Sequence, residues 1–349
     1  MNFASDNTAP VLPEVMAAIE AINRGRVASY GADAETQRLQ ALACEVFETD
    51  LAIFPVATGT AANGLALATV APPYGAIFCH EAAHILLEEC GAPEFYTGGA
   101  KLIGLAGARG KLTPDRLEQA VALATAPGVH HAKPAAVSLT QATEWGTVYR
   151  PDEIRALAER ARTHRLRVHM DGARLANAAA RLGVRPADLT WRAGVDVLSL
   201  GLTKNGAMAA EAVVVFDRAL ADGLAERRKR AGHLLSKMRF LSVQLVAMLE
   251  DDRWLRHAAH ANAMADRLAA GLDLRLVQPV EANELFVAMP QPVIDAMLAE
   301  GFAFHDWINP PGETGPVVRL VTSFATRIEE VDAFVAAAAR LGARESARR

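Results

Sequence analysis

Short apolar runs, separated by polar stretches with helical periodicity, fill the first two thirds of the chain. Residues 52–56, 75–79, 135–140, 166–170 and 195–200 are largely apolar and bounded by turn-forming residues, and each predicts a buried strand. A helix starts near Pro13, another covers residues 65–70, and a third opens at Arg150-Pro-Asp-Glu153 with proline in its first turn. This alternation persists to about Phe216 and predicts an α/β fold with a mainly parallel sheet covered on both faces. Beyond it, residues 218–272 read as a long helical region interrupted near Asp251-Asp252. Strand signals at 274–280, 285–289 and 317–321 follow, with a helix over 292–300. A last helix opens on the capping-box pattern Thr326-Arg-Ile-Glu329, so the tail reads as a small α+β unit. The expected division is an arm over 1–12, a large domain over 13–250 and a small domain over 251–349.

Asp171 and Lys204 change this outline into a chemical proposal, because each follows a predicted strand that passes into a turn. In an open α/β sheet, side chains beyond the carboxyl ends of strands gather in one crevice. An Asp and a Lys there suit a pyridoxal phosphate (PLP) enzyme. The lysine condenses with the aldehyde, and the carboxylate pairs with the pyridinium nitrogen so that the ring accepts electrons. A solvated loop lysine and a helix-capping Asp account for the same two residues. A second strand-turn-helix unit, Ala57-Thr-Gly-Thr-Ala-Ala-Asn-Gly64, places small residues and the hydroxyls of Thr58 and Thr60 at a helix start. With Gly59, they allow a phosphate to approach free backbone N–H groups. The unit has neither the lysine of a P-loop nor the spacing of a dinucleotide site.

Composition adds bounds. The chain has 349 residues, 51% apolar and 22% charged, which is ample for two globular domains. A net charge of −4 gives no electrostatic reason to expect nucleic acid, so a small molecule is the expected partner. Cys44, Cys79 and Cys90 form no C-x-x-C pair and suit a reducing compartment. Met1-Asn-Phe-Ala-Ser-Asp6 lacks the basic and apolar regions of an export signal, and a cytoplasmic location is expected. The apolar stretch 61–79 is broken by Asn63 and Pro72-Pro73, so no membrane span is expected.

Two rival motifs remain. His80-Glu-Ala-Ala-His84 matches H-E-x-x-H, which in a zinc hydrolase needs both histidines on one helical face, with Glu81 as base. Residues 75–79, however, deliver His80 at the end of a strand, and no metal is assigned. The basic run Arg227-Arg-Lys-Arg230 reads by default as a solvated helix face.

The ordered set Ser5-Asp6, Tyr30-Gly31, Thr58-Gly-Thr60, Ala83-His-Ile85, Asp171-Gly-Ala-Arg174, Thr203-Lys204 and Arg319-Leu-Val-Thr322 resembles the low-specificity L-threonine aldolases. These are fold-type-I, aspartate-aminotransferase-like PLP enzymes, and the resemblance runs from about Asn2 to about Phe324. It implies a Schiff base at Lys204, pairing of Asp171 with the ring nitrogen, and stacking of His84 on the pyridine ring. It further implies that Ser5, Arg174 and Arg319 hold the α-carboxylate, in keeping with the fit of a guanidinium fork to a carboxylate. Tyr30 would close the site of a partner subunit. The basic stretch would reach the partner's phosphate, with Lys229 and Arg239 as candidates. The family's glycine triplet is absent here, since Gly232-His-Leu-Leu-Ser-Lys-Met-Arg239 stands instead. A homodimer is the implied minimum and a homotetramer the expected form. The implied activity is retro-aldol cleavage of L-threonine, L-allo-threonine or L-phenylserine to glycine and an aldehyde. The alternative is a β-eliminating amino-acid lyase of the same fold.

One departure concerns the β-hydroxyl. Many members have Asn-Thr-His after the strand preceding the Asp strand, whereas this chain has Thr140-Gln-Ala-Thr-Glu-Trp-Gly146, with Glu144 near the histidine position. His130-His131 lie upstream, and His130 is the expected replacement for the missing imidazole, acting as the base.

Overall fold

The computed structural model describes residues 1–125, 129–309 and 313–346. The five predicted runs become strands β1 (Ala52–Val56), β2 (Gly75–His80), β4 (Lys133–Thr140), β5 (Arg167–Gly172) and β6 (Val197–Gly201), and two strands not singled out in the sequence, β3 (Lys101–Leu105) and β7 (Glu211–Val215), join them. They form one sheet in the order β1-β7-β6-β5-β4-β2-β3. Only β7 runs against its neighbours β1 and β6; the other pairings are parallel. The carboxyl ends of six strands, and the first residue of β7, therefore lie along one edge.

The strands read as continuous apolar runs because both faces are covered. Side chains alternate between faces with period two. Phe78, Met170, Leu198 and Val214 join one core with Leu39, Leu157 and Leu245, while Ile77, Cys79, Val197 and Val213 join the other. The helix Gly59–Val70 fills that second face and is buried almost all round. Such a helix has no polar stripe and is held by tertiary packing rather than by amphipathicity. Thr58 starts it by accepting the Ala61 N–H, and Pro72 bars its continuation. A side chain larger than hydrogen at Gly64 would stand 2.7 Å from the ring of Tyr96, which fixes how closely this helix meets its outer neighbour Ala92–Thr97.

A second, antiparallel sheet has the order β8-β10-β9, from β8 (Glu284–Ala288), β9 (His305–Trp307) and β10 (Val317–Val321). It packs with the helices Arg253–Gly271, Gln291–Ala299 and Ile328–Ser346 around a separate core. The amino-terminal arm belongs to this core. Phe3 is buried edge-on to Phe334, its N–H bonds to Ala303 O, and its carbonyl accepts from Val321.

Three expectations are corrected. Residues 274–280 form no strand: a single bridge joins Leu276 to Val287, and Pro279 has no N–H with which to extend the ladder. The helical region 218–272 breaks at Asp251-Asp252 as expected, both at φ 53°, but has a further, unexpected break between Arg230 and Arg239, where Gly232 turns at φ 80°. The last helix does not use Thr326 and Glu329 as a box. Glu330 accepts the Arg327 N–H instead, and Thr326 Oγ1 accepts that of Ser323.

Because Phe3 is an aromatic plug in a close-packed core, Phe3→Ala is expected to lower unfolding free energy by about 3–5 kcal/mol. A shift in the denaturant midpoint measures it, and a wild-type midpoint would show that the arm is only laid on the surface.

Candidate active site

Strand direction brings the two key residues together. Asp171 lies near the end of β5, in register with Ser199 of the parallel neighbour β6, and Lys204 occupies the tight turn Thr203–Asn205 just beyond β6. That turn is held by Glu211, the first residue of the reversed strand β7, whose Oε2 accepts the Leu202 N–H at 2.9 Å. Burial pushes the Glu211 carboxyl up to about 7, against bonds from Thr203 and Leu202 and the charge of Lys204.

Asp171 is buried and doubly held: Oδ1 accepts from Ala173 N at 3.0 Å and Oδ2 from Asn63 Nδ2 at 2.8 Å. The same Asn63 nitrogen donates to Glu89 Oε1 at 2.8 Å, and that oxygen also takes His84 Nδ1 at 2.9 Å. One amide thus links two carboxylates, and the second orients the imidazole. Burial raises the Glu89 carboxyl, Asp171 adds to this, and His84 and Asn63 oppose it. The Glu89 hydrogen bond raises His84 above the ordinary imidazole value, partly offset by burial. His84 also senses the charges of Asp171 and Lys204, so the three share one electrostatic environment.

Glu144 joins this group from the segment after β4, whose Thr140 is in register with Asp171. Its Oε1 accepts from His84 N at 2.9 Å and Thr140 Oγ1 at 2.8 Å, while Oε2 is buried with no partner. Burial pushes its carboxyl up to about 7, with Asp171 adding and the hydrogen bonds opposing.

The residues expected at an α-carboxylate lie in a buried ionic cluster. Arg174 donates through Nε and Nη2 to Asp6 at 2.8 and 3.0 Å and lies 3.3 Å from Glu284. Burial opposes the Arg174 charge, but Asp6 and Glu284 outweigh it and hold the guanidinium protonated. Burial also opposes the Asp6 charge, and Arg174 with Lys204 outweighs it, so its carboxyl stays below its usual range. Arg319 stacks 4.2 Å from the centroid of Trp307, donates to Ala4 O, and keeps a buried Nε without a partner. Much of the Arg174 fork is therefore taken by Asp6, and Arg319 keeps more free donors. Ser5 is adjacent, its hydroxyl capping the turn Asp6–Thr8.

Thr58, Gly59 and Thr60 form the start of the helix Gly59–Val70, and a Cβ at Gly59 would meet no atom within 4 Å. Room for an anion therefore exists beside the free N–H groups of the first turn. Asn63 Oδ1, Glu89 Oε2, Glu144 Oε2 and Arg319 Nε are buried and unpartnered among the described residues. An anion-compatible turn, a lysine, a fixed carboxylate, an oriented imidazole and orphan polar atoms fit PLP with an amino acid.

Other expected residues lie apart. His130 is exposed and precedes β4, while the site lies beyond the other end of that strand, eight residues or roughly 25 Å away. Within one chain His130 therefore lies away from the β-hydroxyl, and the role expected of it would require a partner subunit's copy. His131 is exposed beside it. Tyr30 is half exposed at φ 56°, bonds through its N–H to Ser236 O, and lies 4.7 Å from Lys229 Nζ. Arg239 starts the helix Arg239–Leu249 and lines a surface hollow with Asp33 and Glu35. None of these three bonds to Asp171, Lys204 or Thr58 among the described residues. The basic run is not wholly solvated either, since Arg228 is buried against Phe54 and Pro55 O.

The H-E-x-x-H reading fails on geometry. His80 ends β2 and His84 begins the short helix His84–Leu87, so they share no helical face. His80 Nδ1 accepts from Ala82 N–H and Nε2 donates to Gly107 O.

Comparison with known proteins agrees with this arrangement. The sequence model of the Beta-eliminating lyase family matches residues 2–291. A low specificity L-threonine aldolase of Pseudomonas aeruginosa is 46% identical over 334 residues, 94% of each chain. The chain belongs to the low-specificity L-threonine aldolase family. A solved threonine aldolase of Leishmania major superposes with a TM-score of 0.91 at 29% identity, covering 97% of this chain and 99% of that one. Serine palmitoyltransferase of Sphingomonas wittichii shares the fold, with a TM-score of 0.72 at 14% identity over 99% and 88% of the two chains. A fold-type-I large domain with a small carboxyl-terminal sheet is thus shared with these aldolases, as expected from the motif order.

Asn63 and Glu89 were not singled out in this role from the sequence; their pairing needs the fold. In Glu89→Gln the bulk remains and the anion is lost, so His84 is expected to titrate at lower pH than in wild type. NMR of the ring protons measures it, and an unmoved titration would remove Glu89 as the source of the shift.

Proposed function

We propose that the chain is a PLP-dependent aldehyde-lyase that cleaves L-3-hydroxy-amino acids, L-threonine and L-phenylserine among them, to glycine and an aldehyde. The observation carrying this reading is the shared environment of Lys204, Asp171 and His84 at the strand ends, in a chain of the threonine aldolase family. Bound PLP supplies an aldehyde for the lysine and a ring that accepts the electrons of the broken carbon–carbon bond. Asp171, fixed by Asn63 and Ala173, presents a carboxylate that keeps the ring nitrogen protonated. His84, oriented by Glu89, packs on the ring face. Thr58, Gly59 and Thr60 hold the phosphate. Arg319, with the remaining donors of Arg174 and Ser5, binds the α-carboxylate and so fixes which bond at Cα stands perpendicular to the ring.

The same reading extends to assembly. Tyr30 and Lys229 form one exposed patch apart from their own site, which suits service to a partner's site, with Arg239 a further candidate. The protein is then a homodimer at least, with a tetramer the expected form, and works in the cytoplasm. Among the described residues no helix is long and apolar enough to cross a membrane. The division into an arm (1–12), a large domain (13–250) and a small domain (251–349) is supported by the two separate cores.

Incubation with L-threonine or L-phenylserine is expected to release glycine and the matching aldehyde. Ammonia and a 2-oxo acid as main products would move the protein to the β-eliminating alternative. Borohydride reduction followed by peptide mapping is expected to place a pyridoxyl group on Lys204; finding it on Lys237 or Lys133 would overturn the site.

A further inference from the structure

We infer that Glu144 is the general base that takes the proton from the substrate's β-hydroxyl. This rests on the aldolase reading above and supplies the base that His130 does not provide within one chain. Three observations on the site carry it. First, Glu144 follows β4 at the edge where Asp171 and Lys204 emerge, and its Oε1 is bonded to the backbone N–H of His84, the residue assigned to the ring face. Second, the hydrogen bonds that other residues give the carboxylate, from His84 N and Thr140 Oγ1, fall on Oε1, while Oε2 is buried without a partner among the described residues. A buried carboxylate oxygen left without a donor is costly unless something arrives to share a proton with it. Third, the groups facing it make it basic. Asp171 from β5 repels its charge, Cys79 from β2 and Tyr149 beyond the segment offer only high-pKa neutral groups, and burial strips water from it. Its carboxyl stands at about 7, matched to proton transfer near neutrality.

The step balances simply. Glu144 Oε2 takes the hydroxyl proton as the Cα–Cβ bond breaks. The O–H electron pair becomes the second C–O bond of the aldehyde, and the Cα–Cβ pair stays with Cα until a proton reaches it and glycine leaves. Glutamate thus does the work of an imidazole because burial lifts it into the same range.

Glu144→Gln is the direct test, since Gln Oε1 retains both acceptor roles and only the proton acceptor is lost. With L-threonine, kcat is expected to fall by about a hundredfold or more, the scale of general-base catalysis, with KM changed little. The acidic limb of the wild-type pH–rate profile should vanish. Exchange of the glycine α-proton with deuterated solvent involves no β-hydroxyl and should continue in the variant; its loss in parallel with cleavage would overturn the assignment. A readout independent of turnover is infrared titration of the full-length protein. Protonated-carboxyl absorption should be lost as pH rises through about 7 in wild type, with Glu144 and Glu211 both contributing, and Glu144→Gln should lack the Glu144 share while keeping that of Glu211; identical titrations would refute it. Thr140→Val guards against a merely structural effect. Removing a hydrogen bond that stabilises the anion should move the acidic limb to higher pH, and an unmoved limb counts against Glu144. If wild type releases no glycine from threonine, the aldolase reading itself fails; if wild type does and Glu144→Gln matches it, only the base assignment fails.

Discussion

Asp6, Arg174, Glu284 and Arg319 bury two carboxylates and two guanidiniums against one another, and the site depends on all four being in place. They come from the amino-terminal arm, the end of β5, β8 and β10. A buried charge stripped of its partner is strongly destabilising, commonly by about 3–5 kcal/mol, whereas the intact pair contributes little net stability. Such a cluster therefore specifies arrangement more than it adds strength. It ties the arm, the large sheet and the small sheet together, and the arm's turn Asp6–Thr8 packs against the turn Thr203–Asn205 that carries Lys204. Lys204 itself helps hold Asp6 ionised, so the cluster and the reactive lysine are electrostatically joined.

The large sheet was legible because its strands are apolar on both faces, and residues 52–56 and 317–321 match β1 and β10 end for end. Asp171 and Lys204 were legible because they sit where strands stop. What stayed hidden is pairing across long sequence distances. Nothing local in the helix Gly59–Val70 marks Asn63 as the donor to both Asp171 and Glu89, and nothing in β8 marks Glu284 as the partner of Arg174. The placement of His130 within its own chain was hidden for a related reason. Residue type suggested an imidazole, but the direction of β4 places it at the far end of the strand in its own chain, while burial pushes the Glu144 carboxyl at the near end up to about 7.

That last effect recurs. Glu89, Glu144 and Glu211 are all raised by burial, and each bonds to a segment that carries a reactive group: Glu89 to the His84 ring, Glu144 to the His84 backbone, Glu211 to the Lys204 turn. Carboxylates serve here because they accept backbone and side-chain donors without adding steric bulk above the strand ends. Their shared cost is desolvation; the charge of Asp171 further opposes ionisation of Glu89 and Glu144, whereas Lys204 favours that of Glu211.

The burial of Phe3 has a bearing on biosynthesis. The arm is translated well before its binding surface, Ala303, Val321 and Phe334. The large sheet has its strands available well before then and can fold while the arm waits, exposing an aromatic side chain. Assembly of the substrate pocket is therefore a late event, completed only when the small sheet is made and closes on the arm. A growing polypeptide that already holds Lys204 would have the reactive amine but no means of gripping an amino acid.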